Sequence, residues 1–82
     1  MVNAHGREQL EEAAKLVREA EEDRREANKE EIDAFQYYQS GHITLGDLRA
    51  AIRRAAIAEM LLSGRIAVER NLRGLYGDSA AE

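Results

Sequence analysis

Two histidines, a knot of carboxylates, two serines and a run of arginines are the side chains here with chemistry to offer. His5 and His42 are the only imidazoles. Helical spacing between them puts them about 50 Å apart at roughly 1.5 Å per residue, so one straight helix cannot bring both to a shared metal ion. Glu30, Glu31 and Asp33 offer oxygen ligands. No Glu-x-x-His pair accompanies them, and that pair is what a metal site inside a helix bundle uses. Neither Ser40 nor Ser63 is expected to pair with a histidine, and neither lies in a nucleophile elbow. There is no Gly-x-Gly-x-x-Gly and no P-loop to cradle a phosphate. The expectation is therefore no catalytic residue, no cofactor and no metal.

What remains is recognition. Arg49, Arg53 and Arg54 form a basic cluster of the kind that grips phosphate. A small nucleic-acid-binding regulator is one reading of that face. Against it stand the formal net charge of -4 and the length of the surrounding helical pattern. A helix-turn-helix needs two short helices, whereas residues 44 to 62 read as one. Tyr37 and Tyr38 invite a second reading, as aromatic anchors for a partner protein. The favoured alternative has them closing a turn against Leu45, Leu48 and Ile52.

Those residues must be positioned by helices, and the stretch that organises the helices is Ser40-Gly41-His42-Ile43-Thr44. A polar helical pattern reaches Ser40 without a break. Gly41 can take the left-handed conformation that ends a helix. Thr44 is a good N-cap for the next one, and Asp47 falls where a carboxylate completes a capping box and meets the positive end of the helix dipole. Stop, turn and start fall within about seven residues, which favours antiparallel neighbours.

The first helix is expected to begin between His5 and Glu8 and run to about Ser40. Ala13, Ala20, Ala27 and Ala34 recur at intervals of seven, flanked by Leu10, Ala14 and Val17 at one end and Phe35 and Tyr38 at the other. A heptad seam of small residues lets a second helix approach closely. The second helix is expected from Leu45 to about Tyr76, with two apolar stripes. Leu45, Leu48, Ile52, Ala55, Leu62 and Ile66 form one. Ile57, Leu61, Val68, Leu72 and Leu75 form the other. Together they are wider than the usual apolar third of a helix, and one polar partner helix cannot cover both. Ser63-Gly64 marks a possible bend or break, because glycine costs about 1 kcal/mol relative to alanine. A break there would create a third helix from Arg65 to Tyr76. Residues 1–6 are expected to fray and 78–82 to form a disordered tail, leaving 7–77 as a single domain.

Composition bounds the rest. The chain has 82 residues, 44% hydrophobic, but with one Phe, three Tyr, no Trp and no Cys. So alanine-rich a core buries little area, and no disulfide can compensate. Association is the expected source of the missing stability. No run of about twenty apolar residues could span a bilayer, and no apolar segment follows Met1 as in a signal peptide. The expected compartment is the cytoplasm.

The run Ala34-Phe35-Gln36-Tyr37-Tyr38-Gln39-Ser40-Gly41-His42-Ile43-Thr44-Leu45-Gly46-Asp47-Leu48, continued by Ala51, Ala55, Leu72, Leu75 and Gly77, resembles the repeated helix pair of the TolC-type outer-membrane efflux family. The resemblance covers roughly residues 10 to 77. The strands and export signal of that family have no counterpart in these residues. What it implies is geometry alone, a hairpin of long helices that packs beside others.

The sequence thus predicts an all-α antiparallel helical hairpin that self-associates, with a dimer forming a four-helix bundle favoured. The expected role is a non-enzymatic interaction module: a small assembly, adaptor or regulatory subunit. The candidate contact residues are Ile57, Leu61, Val68, Leu72 and Leu75, with Arg49, Arg53, Arg54, Tyr37 and Tyr38. Besides the nucleic-acid regulator, the other alternative is a short inhibitor protein of the kind carried by mobile elements. Another protein is a possible partner.

Overall fold

A computed structural model describes residues 4–77. Helix α1 spans Ala4–Gln39 and helix α2 spans Leu45–Leu72, and a π-helical turn, Arg73–Gly77, continues α2. Arg24 meets Glu59 while Glu30 meets Arg54. Rising numbers on α1 thus face falling numbers on α2, and the pair is an antiparallel hairpin. It measures 59 × 17 × 13 Å.

The turn forms as its residues dictate. Gly41 has φ +79°. Its amide donates to the Tyr38 carbonyl at 3.0 Å, and the His42 amide reaches back to Tyr37 at 2.8 Å. These are the two bonds of a Schellman motif, and they satisfy carbonyls that the helix end would otherwise leave open. Thr44 then caps α2. Its Oγ1 accepts from the Asp47 amide at 3.1 Å, and the Asp47 carboxylate accepts from the Thr44 amide at 3.2 Å. Ile43 packs on Ala34, Leu48 and Ala51, the small core beside the turn.

The seam between the helices is built from alanine. Its buried members are Ala13, Ala20 and Ala34 on α1, and Leu48, Ala51, Ala55, Ala58 and Leu62 on α2. The α2 set alternates steps of three and four, the heptad spacing of a helix that keeps one face to a neighbour. Leu10, Ala14 and Val17 are half-buried at the far end.

Several expectations need correction. Helix α1 starts at Ala4, ahead of the expected start between His5 and Glu8. Gly6 is buried one heptad before Ala13, and His5 and Gln9 hydrogen-bond across a turn at 3.0 Å. The other positions of the expected frayed lead, 1–3, and the expected tail at 78–82 lie outside the described residues. Helix α2 is a single helix as expected: it passes through Ser63-Gly64 unbroken, and the alternative third helix from Arg65 does not form. Gly64 is exposed, and a Cβ there would meet nothing within 4 Å. It is therefore not a point of close approach, and the helix runs on across it. Past Leu72 the α-helix gives way to the π-helical turn, where Gly74 and Gly77 hold the helical conformation weakly. Ala27, the third member of the alanine repeat, is only half-buried.

Candidate functional site

The side chains that could do chemistry are scattered by this fold. His5 and His42 lie at opposite ends of α1. Among the described residues no group of three His, Cys, Asp or Glu is placed to hold a metal ion. One pairing runs against expectation: Ser40 Oγ and His42 Nδ1 lie 2.9 Å apart. Sequence reasoning missed it because it treated Ser40 only as the end of a helix, although His42 follows two residues later. Ser40 directs its hydroxyl proton at the Gln36 carbonyl, 2.9 Å away. The Tyr37 carbonyl lies 3.2 Å from the same hydroxyl, so two backbone acceptors compete with the imidazole for its single proton. A nucleophilic serine passes that proton to the ring nitrogen. The Tyr37 ring meets the imidazole edge-on at 6.5 Å, so the cluster closes the turn.

The tyrosines themselves stay out of the hairpin. Tyr37 is 54% exposed and Tyr38 41%, and Phe35, Leu45 and Ile52 are exposed with them. This corrects the expectation that the rings pack against Leu45, Leu48 and Ile52.

The arginine cluster is divided. Arg54 Nε lies 3.4 Å from the Glu30 carboxylate across the seam, so it is held against α1. Arg49 and Arg53 are one helical turn apart on the outer side of α2, and neither makes an ion pair among the described residues. The three guanidinium groups do not form one patch.

A different site emerges on one face of the hairpin, where the seam opens into an apolar groove of about 330 Å³. Leu16, Ala20 and Ala27 form its α1 wall, and Ile57, Ala58 and Leu61 its α2 wall. Its rims carry opposite charge. Glu19 and Asp23 border it on α1, and Arg54 and Arg65 on α2. Ile57 and Leu61 are 49% and 54% exposed although both are large and apolar. Val68 and Leu72 continue the same side of α2 at helical spacing, with Leu75 beyond them in the π-helical turn. Val68 and Leu75 are exposed, and Leu72 is half-buried. The second apolar stripe seen in the sequence is thus the stripe α1 leaves uncovered, whereas Leu48, Ala55 and Leu62 of the first go into the seam. The acidic rim was not foreseen; its signal was the placement of Glu19 and Asp23 beside the alanine repeat.

On the opposite face Arg24 occupies a seam position between Ala20 and Ala27. Its Nη1 lies 3.8 Å from Glu59, and its Nε is buried without a hydrogen-bond partner. No described helix is long and apolar enough to cross a membrane. No family model, curated protein or solved structure matches the chain.

Proposed function

We propose that this chain is a non-enzymatic helical interaction module, a small assembly or regulatory subunit that works by self-association. The observation that carries the reading is the uncovered stripe of Ile57, Leu61, Val68 and Leu75 beside the groove. Burying apolar surface contributes about 25 cal/mol per Å², so a continuous strip left in water favours association. The hairpin's own core supplies little, because six of its eight buried apolar residues are alanine. The family likeness in the sequence enters only as geometry, helix pairs that pack beside one another.

Light scattering at tens of micromolar tests the reading. A mass of at least two chains is the expected result. A monomer with a sharp, cooperative melting transition would show that the hairpin is self-sufficient and would refute it.

A further inference from the structure

Building on the self-association reading, we propose that the groove is filled by a second copy of this chain, related by a two-fold axis parallel to the long axis of the hairpin. In this arrangement α1 of each copy lies on α2 of the other, and Glu19 of one copy faces Arg65 of its partner.

Charge and height select this arrangement. Arg24 lies at the height of Glu59. Glu19 is five residues before Arg24 and Arg65 six after Glu59, in antiparallel helices. At about 1.5 Å per residue, Glu19 and Arg65 stand at nearly the same height on opposite rims of the groove. A two-fold axis along the hairpin preserves height and exchanges the rims. Each acidic rim then lands on a basic one, twice per dimer, and every helix neighbours an antiparallel partner. The other face-to-face two-fold, running across the hairpin, would set α1 on α1 and bring Glu19 and Asp23 against their own copies. Like charges juxtaposed across an interface suppress that mode of docking.

The apolar geometry agrees. In a four-helix bundle each helix meets neighbours on two sides about a quarter-turn apart. On α2 the seam is the first side. Ile57 and Leu61 each stand one position before Ala58 and Leu62, which turns them about 100° away around the helix. That direction is where a second hairpin would sit. The exposed area is also sufficient. The chain exposes 6240 Å², against about 4,900 Å² for a compact monomer of its mass. That excess belongs to the elongated hairpin as a whole, and the roughly 800 Å² per partner of a standard interface fits within it.

The test is a charge exchange between copies, using Glu19→Arg and Arg65→Glu. Each variant alone sets like charges against each other twice per dimer. Each is expected to dimerise at least about tenfold more weakly than the parent chain, in line with the cost of like charges at an interface. Mixed in equal amounts, the two variants match at both contacts, so the dimer mass and the helical circular dichroism signal return. A variant that merely damages its own hairpin is not repaired by mixing, which separates contact between copies from misfolding within one. A parent chain that dimerises while both variants associate as it does, or while the mixture is no tighter than the variants alone, overturns this arrangement and leaves the self-association reading intact. A monomeric parent chain overturns both.

Discussion

Gly41 shows how much of this chain hangs on single residues. Its φ of +79° belongs to the left-handed region, where a Cβ crowds the following carbonyl. No neighbour lies within 4 Å of that Cβ position, so the cost of substitution is conformational alone. Gly41→Val is expected to destabilise the hairpin by about 1–2 kcal/mol and lower its melting temperature. An unchanged transition would mean that the left-handed turn is dispensable. Arg24 makes the opposite case. A guanidinium nitrogen is buried beside an alanine seam with no acceptor, and its ion pair with Glu59 is long and largely in water. Exposed pairs of that kind contribute little, and an unsatisfied buried donor costs more. Arg24→Met keeps the packing stem and removes the donor. Thermal denaturation should show it as neutral or stabilising, and a clear drop in melting temperature would show that the pair with Glu59 matters more than its geometry indicates.

At the scale of the helices, the decisive quantity is how closely α1 and α2 pack at each level of the seam. Ala20 is buried, while Ala27 is half-buried where the seam opens. Ala20→Leu should overpack and cost about 1–3 kcal/mol. Ala27→Leu should cost less, because the side chain can extend along the groove. Equal losses from urea denaturation of the two variants would mean that the hairpin is zipped evenly. Gly64 is a separate matter. It weakens α2 without serving packing or a turn, so Gly64→Ala should stabilise by up to about 1 kcal/mol. A destabilised Gly64→Ala would reveal a second chain approaching that face.

The whole molecule is a single layer of two helices 13 Å thick in its least dimension. Such a layer has no interior in the usual sense, only a seam. If folding and association are coupled, the melting temperature must rise with chain concentration, because mass action favours the folded oligomer. A melting temperature constant over a hundredfold range of concentration would make the hairpin an independent monomer. Ionic strength gives a second reading of the same equilibrium. Contacts between oppositely charged rims weaken as salt shortens the screening length, whereas apolar burial does not.

The sequence by itself determined the features that depend on neighbours along the chain. Gly41 ends α1, Thr44 and Asp47 start α2, and the helices are antiparallel because the link is short; all of this follows from backbone preference and capping within a few residues. The two stripes on α2 were legible for the same reason, since helical spacing alone sorts residues onto faces. Tertiary structure decided which face met what. It buried Ala20 but only half-buried Ala27, left Tyr37 and Tyr38 exposed, and carried α2 through Gly64 without a bend or break. It also turned Arg54 toward Glu30 and away from Arg49 and Arg53, and set Glu19 and Asp23 across a groove from Arg54 and Arg65. None of these could be read from spacing along one helix, because each depends on the height and rotation of one helix against the other. Those are fixed only when the alanine seam closes.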